Sequence, residues 1–217
     1  MSHHETPEVA HEPDTSRRSA RAAFLAGPAV LVVGRLLLEP LGDADWDRTL
    51  TDVASHRGRS DTGWLLAILG CGLMALGSRS YVRLIVRRGR RVSAAVLSLL
   101  VPLGWVACGA ICVAGLAMSA SAVRPERATM VAWQESMNSS ASVAVLFAVT
   151  ALAGLGYLWL AVELVRRKAV GTSAAGLIGV GGLSTLVTMP GPVKPVLVAA
   201  SVLLAAGHWL TRSASLG

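Results

Sequence analysis

Arg35, Glu39, Asp52 and His56 are the residues of this chain whose types and spacing could do chemistry, and they share one stretch, RLLLEPLGDADWDRTLTDVASHR. Arg35 sits near the end of an apolar run, and Glu39 follows one helical turn later, a spacing that lets the two form an ion pair. A charge at the centre of a bilayer costs about 2.5–3.5 kcal/mol on insertion scales. Arg35 lies about six residues, roughly 9 Å of helix, before Leu41, so its stem can reach the nearby interface. The spacing therefore allows either a structural Arg35–Glu39 pair or a polar cavity opening outward. Asp52 and His56 are also one turn apart. On a shared helical face they could act as an acid–base pair, and on a solvated helix they would be a simple contact.

The remaining polar features are weaker. Asp43, Asp45 and Asp47 alternate as DADWD like the start of a calcium loop, but Arg48 stands where such a loop needs glycine and Ala54 where it needs glutamate. The aspartates are better suited to complement the N-terminal dipole of the helix that follows. Cys108 and Cys112 share a helical face, and a soft metal would need more sulfur, for which only Cys71 and some methionines are candidates. All three cysteines fall inside apolar segments, so they read as packing residues, and neither a metal site nor a cofactor is expected. Glu163 stands one turn before Arg166 and Arg167 and reads as an interfacial ion pair. His208, beside Trp209, reads as an interfacial anchor. His3, His4 and His11 fall in a polar N-terminal stretch. The chain has no Walker loop, nucleophile elbow or HExxH zinc pair.

The elements that must carry these residues are membrane helices. Of 217 residues, 53% are apolar and 15% are charged, with a mean hydropathy of +0.56. A soluble domain carries about 25% charged residues. Long unbroken apolar runs argue against a barrel of alternating strands, and in lipid every backbone group must be satisfied within its own segment. The expected fold is all-α, a polytopic transmembrane helical bundle of about six spans. Residues 1–21 are expected to be a disordered cytoplasmic tail, 22–212 the six-helix domain and 213–217 a short cytoplasmic tail. The spans fall at about 22–41, 64–85, 94–119, 141–165, 170–189 and 193–211. Two outer loops, 47–57 and 125–137, carry apolar residues at helical spacing and predict short amphipathic helices, the first stopping at Gly58.

Charge sets the topology. The net charge is +7, and thirteen of the twenty basic residues fall on one side of these spans: Arg17, Arg18 and Arg21, six arginines from Arg79 to Arg91, then Arg166, Arg167, Lys168 and Arg212. The positive-inside rule places both termini in the cytoplasm. Trp64 suits the outer interface, and Trp159 and Trp209 the inner one. Without a basic stripe interleaved with aromatics, nucleic acid is excluded as a partner. Stripes of small residues predict helix contacts: Gly63, Ala67, Gly70 and Gly77; Cys108, Cys112, Gly115 and Ser119; Gly171, Ala175 and Gly179. The excess of 18 Arg over 2 Lys, with abundant Ala, Gly and Val, suggests a GC-rich bacterial genome, and hence a bacterial cytoplasmic membrane.

The segment from Leu36 to Gly77 resembles uncharacterised multi-pass membrane proteins of actinobacteria, through Pro40, Asp52, Val53, Ala54, His56 and Trp64. The resemblance implies a multi-pass protein of about six spans and carries no activity. Such relatives are expected to have a histidine at the head of the second span. Here Asp61-Thr62-Gly63 stands there, which removes support for a shared metal or proton role. Three functional readings follow. The first is a non-enzymatic structural, regulatory or partner-binding bundle, with the bilayer and a membrane protein or a second copy as partners. The second is a small transporter or exporter component using Arg35, Glu39, Ser184, Thr185 and Thr188. The third is an intramembrane enzyme acting on a lipid or isoprenoid through Glu39, Asp52 and His56.

Overall fold

The structure, a computed structural model, describes residues 14–38, 46–86, 91–122, 127–138, 140–187 and 194–214. These residues form eight helices and, among them, no strand: α1 Asp14–Leu37, α2 Trp46–Ser55, α3 Arg57–Val86, α4 Arg91–Ser121, α5 Arg127–Asn138, α6 Ala141–Arg166, α7 Thr172–Val187 and α8 Lys194–Ala214. Three stretches are long and apolar enough to cross a membrane: Arg57–Ser78, Ala95–Ser121 and Ala141–Arg166. Shorter apolar helices occupy Ala26–Leu37, Thr172–Leu186 and Pro195–Thr211.

Two boundaries differ from expectation. The helix expected to start at about residue 22 starts at Asp14, inside the stretch read as disordered. No Gly or Pro interrupts residues 14–26, so the turn nucleated by the apolar segment propagates outward at one backbone hydrogen bond per added residue. The loop helix expected to stop at Gly58 ends at Ser55, and α3, with Gly58 in its first turn, begins at Arg57, seven residues before the expected start at residue 64. The chain makes a single turn at His56, whose N–H reaches the Val53 carbonyl while Ser60 N–H reaches the His56 carbonyl. Elsewhere the boundaries match within a few residues. Ser140 caps α6, its hydroxyl accepting from Val143 N–H at 3.3 Å.

Six helices close into a ring. α1 packs on α3, α3 on α4, α4 on α6, α6 on α7, α7 on α8, and α8 returns to α1. Small residues bring the backbones together at these contacts. A Cβ on Gly34 would stand 2.8 Å from Ala67 N and 3.0 Å from Gly63 O, and one on Gly70 would stand 3.0 Å from Leu31 Cα. A Cβ on Gly181 would meet Leu204 N at 2.5 Å. The expected stripe on α3 is thus the α1 contact. On the α7 stripe Gly179 meets Ala161, whereas Gly171 faces open space. Inside the ring runs one core, from Leu31, Ala67 and Cys71 through Trp105, Cys108 and Tyr157 to Ile178, Leu186 and Leu204.

The two short helices, α2 and α5, lie at one end, touching each other. Leu50 and Val53 of α2 are buried against Met118 of α4 and Ala122 just beyond it, with Ala54 and Val131 flanking them. The amphipathic face read from the sequence is therefore used as a cap on the bundle.

Candidate functional site

Arg35 is 2% exposed and points into the ring. Its Nη1 donates to Ser201 Oγ at 3.0 Å and to the Leu197 carbonyl at 3.4 Å, both on α8. The Cα–Cβ bond of a helical residue tilts toward the helix N-terminus, so the guanidinium of Arg35 drops back toward the level of Leu31. There it lies near enough to the Cys108 sulfur for its charge to be felt. Its expected partner Glu39 lies outside the described residues.

Cys108 and Cys112 lie one turn apart on the α4 face toward α3, and α3 presents Cys71 at the same level. The Cys71 thiol donates to the Cys108 sulfur at 3.4 Å, and the three sulfurs lie within 4.8 Å of one another. All three are buried, and none is in a disulfide. All three belong to the buried core, as packing residues do, and the structure adds Cys71 to the pair that shares a face of α4. The missing information was the register of α3 against α4, which Trp64 and Gly115 set: a Cβ on Gly115 would stand 2.5 Å from the Trp64 ring. Trp64 occupies that slot at 4% exposure, so it is a core residue and not the outer-interface anchor expected from its position.

The core is mostly apolar. Trp105 and Tyr157 link α4 to α6, and the hydroxyl of Thr185 and the indole N–H of Trp64 are buried with no hydrogen-bond partner among the described residues. Toward the capped end, Ser119 donates to Asp61 Oδ1 at 2.6 Å, and Arg57 pairs with Asp61 at 3.4 Å. Asp61 was the departure at the head of the second span. Its acceptor oxygens now tie the start of α3 to the end of α4.

Asp52 and His56 are not brought to this centre. Both are exposed on the cap. His56 Nδ1 approaches Ser55 Oγ at 2.9 Å and the Asp52 backbone carbonyl, not its carboxylate, at 3.4 Å. That geometry is a local turn contact. At the opposite end, Glu163 meets Arg167 at 2.9 Å, as its spacing predicts. His208 is buried with Nδ1 2.7 Å from the Leu204 carbonyl, so it packs inside the bundle and is not an interfacial anchor. Trp159 and Trp209 are exposed. Comparison with known protein families, curated proteins and solved structures finds no match to this chain.

The interior thus holds three clustered thiols and, in the same bundle, a buried guanidinium bonded to the Ser201 hydroxyl. They hold no arranged base, nucleophile and oxyanion site among the described residues.

Proposed function

We propose that this chain is a six-span integral membrane protein of a bacterial cytoplasmic membrane, with both termini in the cytoplasm, that acts by binding a small guest within its ring of helices. The reading refines the non-enzymatic bundle inferred from the sequence. Its support for six spans is the ring itself: the three shorter apolar helices complete a circle with the three long ones. The bias of basic residues supports the orientation.

The observation that carries the binding reading is Arg35, an intramembrane charge placed inside the ring and beside Cys108. Such residues mark ligand and ion sites far more often than lipid-facing surface. The buried Thr185 hydroxyl and Trp64 N–H add donors that a guest could satisfy. A transport role is the second reading, favoured by one observation: Ser201 and Thr185 also place hydroxyls in the buried interior, extending the polar groups from α1 to α7 and α8.

Native mass spectrometry of gently extracted protein tests the proposal. A small retained guest that is lost in Arg35→Gln supports it. A retained protein partner with no small guest would replace it with docking through the capping helices. A bare chain in both variants would overturn it.

A further inference from the structure

We propose that Cys71, Cys108 and Cys112 form a trigonal site for a monovalent thiophilic metal ion, cuprous copper or its silver(I) analogue. The proposal rests on the reading of the ring interior as a binding site and names the chemical class of the guest.

Geometry is the first support. An ion about 2.3 Å from each of three sulfurs holds them about 4.0 Å apart, since the separation is the bond length times the square root of three. The sulfurs here run from 3.4 Å apart, for Cys71 and Cys108, to a limit of 4.8 Å. Shifts of a few tenths of an ångström would seat an ion. The ligands also come from two packed helices and not from a loop, with Trp64 locked against Gly115 to hold the register.

Charge is the second, independent support. Metal-bound thiolates bring negative charge into a place where isolated charge is costly. The structure supplies a positive group at that place: Arg35, held to α8 by Ser201, stands beside Cys108. Ser201 itself donates to the Leu197 carbonyl at 2.8 Å, which fixes the hydroxyl that receives the guanidinium. A core of packing cysteines would need neither the arginine nor its support.

The ligand set then chooses the ion. Among the described residues no His, Asp or Glu joins the three sulfurs. The Met74 sulfur lies against Gly27 of α1, where a Cβ would meet it at 3.1 Å. Zinc in a closed site takes four ligands in a tetrahedron. Cupric copper favours tetragonal nitrogen and oxygen sets. A buried, all-sulfur, three-coordinate site matches cuprous copper and silver(I), for which soft sulfur ligands are selective. Each sulfur that binds as thiolate gives its proton to solvent, so loading releases protons without any change of oxidation state.

The experiment is anaerobic loading of the reduced, full-length protein in detergent with Cu(I), buffered by a chromophoric Cu(I) chelator, followed by X-ray absorption at the copper edge. The expected result is one copper per chain with three sulfur neighbours. Cys71→Ser and Cys112→Ser should each weaken binding more than about 10-fold. Arg35→Gln, which removes no ligand, should weaken it about 10- to 100-fold, as outer-shell partners do. The sulfur count on the wild-type protein stands even where a variant fails to fold. Copper with nitrogen neighbours would belong to histidines elsewhere in the chain and would overturn the site, as would unchanged binding in the triple serine variant. Zn(II) held in preference to Cu(I) would overturn the ion class. Failure to bind any metal while native mass spectrometry still shows an organic guest would sink this proposal and leave the binding reading standing.

Discussion

Trp105 donates its indole N–H to the phenol oxygen of Tyr157 at 2.7 Å, and the two rings stand edge to face at 89° with centroids 6.1 Å apart. Both residues are fully buried, and together they form the polar link between α4 and α6. Tyr157→Phe strips the indole of its acceptor and should destabilise the protein by about 1–3 kcal/mol. Adding Trp105→Phe should cost less than the sum of the single changes, with a coupling of about 0.5–1.5 kcal/mol in the range of intramembrane hydrogen bonds. Unfolding in detergent of the single and double variants measures this. Strict additivity would mean that the bond contributes nothing.

Two glycines separate close packing from mere helix propensity. Gly34→Ala drives a methyl group onto the α3 backbone 2.8 Å away and should cost about 1–3 kcal/mol. Gly72 has nothing within 4 Å of its added Cβ, so Gly72→Ala should be neutral or stabilise by up to about 1 kcal/mol. Thermal melts of the pair provide the comparison. Equal effects would contradict the α1–α3 contact.

Those glycines also show what was legible in the sequence. Gly63, Ala67 and Gly70 lie on one stripe because helical period alone decides which residues share a face, and the structure puts that stripe on α1. The positions of the long apolar helices follow from apolar run length for the same local reason. What period cannot supply is the height of one helix against the next. Cys108 and Cys112 could be paired from their spacing, but placing Cys71 beside them needed the α3–α4 register. Arg35 illustrates the same limit: its described side-chain partner Ser201 is 166 residues away. Trp64 and His208 were misplaced because a Trp or His near a span end has the same local pattern whether it faces headgroups or a slot in the next helix.

The ion pair at the opposite end can be tested directly. Glu163 and Arg167 have side chains 4% and 12% exposed and meet at 2.9 Å. Glu163→Gln should cost about 1.5–3 kcal/mol, the range for a hydrogen bond to a charged group. Because burial limits screening, the cost should persist in high salt. Melting at low and high ionic strength decides it, and a loss that vanishes with salt would mark the pair as a surface contact.

Orientation has its own test. Single cysteines introduced as Asp52→Cys and Gly171→Cys occupy exposed positions at opposite ends of the bundle. A membrane-impermeant maleimide should label the first in intact cells and the second only after permeabilisation. The three native cysteines are buried and should stay unlabelled in both cases, giving an internal blank. The reverse pattern would turn the protein over in the membrane.

The closure of the ring by α8 against α1 imposes an order of events on synthesis. Arg35 leaves the ribosome early, while Ser201 follows 166 residues later. At about 5–20 residues per second the wait is about 8–33 s, during which α1 holds its guanidinium before α8 exists to receive it. Chains cut short before α8 would keep that charge facing the opening in the ring. They are therefore the products that cellular quality control should remove fastest.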